Sequence, residues 1–187
     1  MTGPTDHGPT ATEPDGAGSA VSDRAGIVAV CCLTFRRPVG LRRVLERIAA
    51  LRFDTGVTPE SVRVVIVDND PEGSGEAIVD EMRAEVPFEL RYAVEARRGI
   101  PFGRNRAVAE SGDVDLIAFL DDDEAPEPDW LAQLLHTAAE TGADVVTGPV
   151  LPVFDERPPD WVLRGRFFDR RRHATGELLH YARTSNV

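Results

Sequence analysis

Lysine is absent from this chain: all 21 of its basic residues are arginine. GC-rich codon usage accounts for the bias. Its chemical consequence stands regardless, because every mechanism that needs a lysine amine is excluded. Cysteine is almost as scarce, and the two present, Cys31 and Cys32, are adjacent within an apolar run. Neighbouring side chains on a strand point to opposite faces, so a bridge between them would be strained. Two thiols do not complete a zinc shell either, and they read as buried thiols of a reducing compartment. Long apolar runs are also missing. No stretch approaches the roughly 20 residues of a membrane span, and the acid-containing N-terminus has no apolar segment of the secretory kind, so a cytoplasmic protein is expected. No Gly-x-Gly-x-x-Gly follows the first apolar run, which argues against a dinucleotide-dependent oxidoreductase. Finally, there is no positive excess. The formal net charge is −11, which repels nucleic acid and anionic lipid as principal partners. Such a chain suits anionic ligands held through a metal or a few local arginines.

What is present suits one domain with a tail: 187 residues, 42% of them hydrophobic. Residues 1–24 are rich in Gly, Pro, Thr, Ser, Asp and Ala and are expected to be a disordered tail. From residue 25 the pattern alternates. Ile27–Leu33 is a continuous apolar run, as expected of a strand buried on both faces. Pro38 opens a helix whose stripe is Leu41, Val44, Leu45, Ile48 and Leu51. Strands follow at Val62–Val67, Glu89–Val94, Leu116–Leu120 and Asp144–Val150. Helices are expected over about Gly75–Glu85, Pro101–Glu110 and Pro128–Glu140, the last with Trp130, Leu131, Leu134 and Leu135 on its apolar side. Arg157–Trp161 reads as a loop. The alternation implies an α/β fold, a mostly parallel Rossmann-like sheet flanked by helices.

In open parallel sheets ligands bind beyond the carboxyl ends of the strands, near a switch in strand order. Here those ends carry Thr34 with Arg36 and Arg37, then Asp68-Asn69-Asp70, then Asp121-Asp122-Asp123-Glu124. Four successive carboxylates repel one another unless a cation is near. On extended backbone Asp121 and Asp123 would share a side and could hold Mg2+ or Mn2+, with water and phosphate completing the shell. The competing reading is a solvated acidic loop. Asp68 can accept from a base or a ribose hydroxyl, or it can serve as a turn former; Asp70 reads as the turn residue. Arg97–Arg106 sets arginines, Arg98 and Arg104 among them, around a helix start that favours anions; solvated surface arginines are the alternative. Trp161 and Arg166-Phe167-Phe168 either face an acceptor sugar or pack over the sheet. The histidines are given no role.

Four segments together resemble a family 2 glycosyltransferase of the GT-A fold. They are Cys32-Leu33-Thr34-Phe35-Arg36-Arg37-Pro38, Val65-Ile66-Val67-Asp68-Asn69-Asp70, Arg98-Gly99-Ile100-Pro101-Phe102-Gly103-Arg104-Asn105 and Phe119-Leu120-Asp121-Asp122-Asp123-Glu124. The likeness is to bacterial exopolysaccharide enzymes of the succinoglycan type, and it extends over residues 26–187. It implies the nucleotide-sugar-binding half of such an enzyme, with a nucleotide-diphosphate sugar, UDP-linked by preference, as donor. Thr34 and Asp68 would contact the nucleoside, Asp121 the ribose and Asp123 the metal, with Arg98 or Arg104 near the diphosphate. Phe35, Arg37, Gly99, Asn105 and Asp122 complete the implied donor set. Inverting transfer to a saccharide or lipid-linked acceptor in polysaccharide synthesis is implied, with peripheral association at the inner face of a membrane. The general base that such enzymes need is expected beyond Val187, so the domain reads as incomplete at its C-terminus. A nucleotide-sugar-binding remnant without turnover is the alternative. A phosphohydrolase of the haloacid dehalogenase type, with Asp68 as nucleophile, is a further rival; it normally requires a lysine and places that motif on the first strand.

Overall fold

The computed structural model describes residues 26–53, 57–182 and 184–187; the tail expected over residues 1–24 lies outside them. Four strands form one sheet, β1 (Val28–Thr34), β2 (Val62–Asp68), β3 (Glu89–Val94) and β4 (Leu116–Asp121). Their order is β3-β2-β1-β4, and every pair is parallel. Helices α1 (Pro38–Ala49), α2 (Glu76–Met82) and α3 (Ile100–Ser111) connect successive strands; α4 (Trp130–Thr141) and α5 (Asp160–Gly165) follow β4.

Both faces of the sheet are covered, which explains why β1 and β2 carry continuous apolar runs, Val28–Leu33 and Val64–Val67, rather than alternating. Val30, Cys32, Val64 and Ile66 face α1, α2 and α4, whose Leu41, Val44, Leu45, Ile48, Val79 and Leu131 are fully or almost fully buried. Ala29, Cys31, Val65 and Val67 face the other way, against Ala107 of α3. The chain steps outward from β1 to β3 with α1 and α2 on one face. It returns to β4, on the far side of β1, with α3 on the other. A single crossover hand requires that change of face when the direction reverses, and it puts the topological switch between β1 and β4. Both cysteines are free and buried; burial pushes the Cys31 thiol up to about 11 and raises Cys32 as well, so both are inert thiols.

Two expected elements differ. Asp144–Val150 is not a strand. The hydrogen-bonding edge of β4 is taken by the C-terminal residues, with Phe119 and Val187 exchanging N–H···O bonds in both directions, the pattern of an antiparallel pair. Among the described residues the hydrogen bonds of residues 144–150 go to Asn186, with Gly148 N–H and Thr147 Oγ1 donating to its carbonyl and Asn186 Nδ2 donating to the Pro149 carbonyl. Those contacts converge on one residue and cannot build a ladder. The second difference is that Trp161 lies on α5 rather than in a loop. Pro159 caps that helix and Asp160 stands in its first turn, where a carboxylate favours the helix dipole.

One packing contact fixes the geometry of the strand-end region. A Cβ added to Gly40 in the first turn of α1 would lie 2.8 Å from the Asp122 backbone oxygen. Helix propensity alone would make Gly40→Ala stabilising by up to about 1 kcal/mol. The close approach to backbone predicts the opposite sign, a loss of about 1–3 kcal/mol in urea denaturation.

Candidate functional site

Parallel pairing in a common register brings the strand ends together. Thr34 pairs with Asp68 and Asp68 with Val94, while Leu33 pairs with Asp121. All the loops that follow therefore leave from one edge.

Three of those loops are pinned by carboxylates. Asp68 is fully buried. Its Oδ1 accepts the Asp70 N–H at 2.9 Å, and its Oδ2 accepts the Gly75 N–H at 2.7 Å and the Tyr92 hydroxyl at 2.9 Å. Burial, together with the hydrogen bond to Asp68, drives the Tyr92 phenol far above its usual range, so it donates as a neutral hydroxyl. Buried, and with its oxygens engaged by the β2–α2 loop and by Tyr92 of β3, Asp68 is not poised to attack a phosphate, which counts against the phosphohydrolase reading. Asp70 opens the turn as expected, its carbonyl accepting Gly73 N–H. It also accepts a two-pronged ion pair from Arg36, at 3.0 and 3.2 Å, which lowers its pKa. Arg36 has φ 55, an uncommon conformation for a residue with a Cβ.

Asn69 was given no role by the sequence, yet it organises the β3–α3 loop. Its Nδ2 donates to the carbonyls of Glu95 and Arg97 at 2.7 and 2.8 Å, and its Oδ1 accepts the Gly99 N–H at 2.7 Å. Gly99 directly precedes α3 with φ 136, a conformation open only to glycine without strain. Glu95, held down to about 2 by the Arg97 guanidinium and backbone N–H, braces the same loop. The only sequence signal for Asn69 was its position directly after Asp68. Arg98, exposed on this loop, stacks over Phe35 at 4.8 Å, and Arg36 lies over the same ring at 5.3 Å. Asn105 is exposed on α3.

The acidic run departs from its expected geometry. β4 ends at Asp121 and the chain turns at once, with Glu124 N–H donating to the Asp121 carbonyl at 3.0 Å. The alternation that would set Asp121 beside Asp123 therefore does not apply. Asp121 instead meets Arg104 at 3.3 Å, whose guanidinium lies over Phe119; burial raises the Asp121 pKa while Arg104 opposes the rise. Asp122 and Asp123 are the carboxylates that share a cation. Arg37 Nη1 lies 3.1 Å from Asp122 Oδ1 and 3.0 Å from Asp123 Oδ2. Asp122 is buried and also accepts the Thr34 hydroxyl at 2.9 Å. Arg37, Asp122 and Asp123 line a cavity of about 340 Å3 with Arg36, Arg43 and the start of α1.

The donor set consists of hard oxygens, which suits Mg2+ or Mn2+. Among the described residues no three His, Cys, Asp or Glu side chains converge on one point. A divalent ion would therefore take the Asp122–Asp123 pair and fill its shell with water or phosphate oxygens, as Mg2+ commonly does. The other candidate patch is separate. Trp161 packs edge-on against Phe167 and Phe154 against Phe168, and all four residues are exposed.

Comparison with known proteins gives the family and agrees with the fold. The profile of glycosyl transferase family 2 matches residues 29–186. The chain is 39% identical over 142 residues to the succinoglycan biosynthesis protein ExoM of Rhizobium meliloti, a match covering 75% of this chain and 43% of that protein. It is 27% identical over 137 residues to the glucosyl-dolichyl phosphate glucuronosyltransferase of Haloferax volcanii, covering 73% of this chain and 39% of that one. It thus spans less than half the length of the curated relatives it matches. Among solved structures, S. aureus TarS with UDP-GlcNAc superposes with a TM-score of 0.60 at 19% identity, over 71% of this chain and 37% of that one. The mannosyltransferase PcManGT from Pyrobaculum calidifontis, with GDP-Man and Mn2+, gives 0.55 at 20% identity, over 69% and 37%. At such identities the likeness is one of fold, the GT-A sheet with its flanking helices. Matched by the family profile along most of its length, the chain belongs to glycosyl transferase family 2.

Proposed function

We propose that this chain forms the donor-binding part of a metal-dependent, inverting glycosyltransferase. It would hold a nucleotide-diphosphate sugar, UDP-linked by preference, for transfer to a saccharide or lipid-linked acceptor in polysaccharide synthesis. The observation that carries the reading is the meeting of the β1 and β4 ends at the strand-order switch. There Thr34, Arg37, Asp122 and Asp123 form one connected polar cluster, at the place where open α/β sheets bind ligands.

Each group then has a role set by its geometry. Asp122 and Asp123 would hold Mg2+ or Mn2+. A bound divalent ion would neutralise the charge that develops on the leaving diphosphate. Thr34 orients Asp122 through its hydroxyl. Phe35 with Arg98 presents a flat face beside the sheet edge, suited to stacking against a base. Asp68 supports the nucleoside pocket from below through the loop it orders, and Asp121 with Arg104 flanks the ribose side. Gly99 and Asn105 shape the start and the exposed side of α3. The reading assigns no acceptor-activating base within the described residues. Cytoplasmic placement at the inner face of a membrane belongs to the same proposal, as the compartment where nucleotide sugars and lipid-linked acceptors would meet.

Calorimetric titration with UDP, GDP and TDP, each with and without Mn2+, tests the proposal. Binding of at least one is expected to tighten in Mn2+; no metal dependence with any of them would overturn it. Asp123→Asn is expected to weaken the Mn2+-dependent part by about tenfold, equivalent to about 1.4 kcal/mol. Its exposed position predicts a stability change within about 0.5 kcal/mol, read by thermal denaturation.

A second expectation concerns turnover. With donor binding intact, sugar transfer by the 187-residue chain is expected to fall short of normal family rates by on the order of 100-fold or more, the usual contribution of a general base. Robust transfer in a radiolabelled-donor assay would show that the base lies within this chain.

A further inference from the structure

We propose that Arg37 is a built-in counter-ion of the acidic turn, which a divalent cation must displace and which moves to the diphosphate when the donor binds. The proposal rests on the donor-site reading above.

Three observations carry it. First, a single guanidinium nitrogen, Arg37 Nη1, serves both carboxylates, at 3.1 and 3.0 Å. It therefore stands on the oxygens that a metal ion would use, and the two cations compete for them. Second, the contact is easy to exchange. Arg36 grips buried Asp70 through two nitrogens, the paired geometry that makes arginine–carboxylate contacts strong. Arg37 reaches its partners through one nitrogen only, and its side chain is 55% exposed. Its backbone is fixed, with its carbonyl accepting Leu41 N–H at 2.9 Å at the start of α1, so the guanidinium can swing from an anchored base. Third, Asp122 cannot remain without a positive partner. Its side chain is only 9% exposed, and an uncompensated buried carboxylate is strongly unfavourable. Arg37 meets that need before the metal arrives.

The consequence is coupling between ligands. A metal ion binding alone must displace Arg37 into water. A diphosphate offers the released guanidinium a partner that it can grip with two nitrogens. Metal and diphosphate should therefore bind cooperatively, each raising the other's affinity by the same factor.

The test is Mn2+ titration of the 187-residue chain by calorimetry, first alone and then with saturating UDP. Wild type would be compared with Arg37→Gln, with Arg37→Met as a second neutral variant should Arg37→Gln fold poorly by circular dichroism. Arg43→Gln, exposed in the same cavity, controls for general loss of positive charge. In the absence of UDP the Arg37 variants are expected to bind Mn2+ about threefold to tenfold more tightly than wild type, and the enhancement by UDP to shrink by a similar factor. Arg43→Gln is expected to stay within about twofold. Equal or weaker Mn2+ binding by the Arg37 variants would overturn this proposal and leave the donor-site reading intact. So would an Arg43→Gln gain as large as theirs. No Mn2+ binding by any protein, with or without UDP, would overturn both.

Discussion

The buried carboxylate of Asp122 is the contact on which the site depends. It lies on the turn after β4, takes the Thr34 hydroxyl from the end of β1, and takes Arg37 from the start of α1. A charge so placed is stable only when its partners are held at hydrogen-bonding distance. The elements carrying them must therefore sit close. The contact at Gly40, where the helix backbone comes against the Asp122 carbonyl, is the steric side of the same requirement. Parallel pairing of β1 with β4 makes it geometrically available, because both strands deliver their next residues to one edge.

The polar groups of that edge divide into two kinds. Buried carboxylates and one buried amide set geometry, with Asp68 ordering the β2–α2 loop, Asp70 anchoring Arg36, and Glu95 and the Asn69 amide bracing the β3–α3 loop. Exposed cations and an aromatic ring stand on that frame, namely Arg37, Arg98 and Phe35. The frame groups are saturated by the chain itself and have little capacity left for a ligand. The exposed groups are held by single contacts or by stacking, and these can be exchanged. The division assigns roles more sharply than residue type does, since Asp68 and Asp123 are chemically identical and occupy opposite ends of it.

Much of this was legible in the sequence. The apolar runs of β1 and β2, the Leu41–Ile48 stripe and the clustering of Thr34, Asp68 and Asp121–Asp123 at one sheet edge follow from periodicity and chain connectivity, and the structure bears each of them out. What was not legible depended on distant partners. The donors that saturate Asp68 include Gly75 N–H and the Tyr92 hydroxyl, 7 and 24 residues away, and no local pattern announces them. The Asp121–Asp123 alternation assumed an extended backbone, whereas the strand stops at Asp121. Asp144–Val150 has the composition of a strand, but composition does not reveal that Val187 takes the neighbouring edge. Helix α5 was hidden because Pro158-Pro159 reads equally well as loop punctuation and as a helix start.

The acidic run itself takes on a different meaning. Four successive carboxylates suggest mutual repulsion that only a metal could relieve. The turn instead gives each a partner within the chain: Arg104 for Asp121, Thr34 and Arg37 for Asp122, the same Arg37 for Asp123, and the Asp121 N–H for Glu124. Burial even raises the pKa of Asp121 and Glu124, the mark of carboxylates drawn into the protein rather than spread into solvent. Repulsion is therefore partly relieved before any ion binds, while the neighbouring carboxylates still add to the rise at Asp121 and Glu124. On the proposal made above, a cation arriving here would replace an arginine at the Asp122–Asp123 pair. Its affinity would then be a difference between two bound states, and whatever stabilised the displaced guanidinium, above all a diphosphate, would strengthen the metal site without touching its ligands.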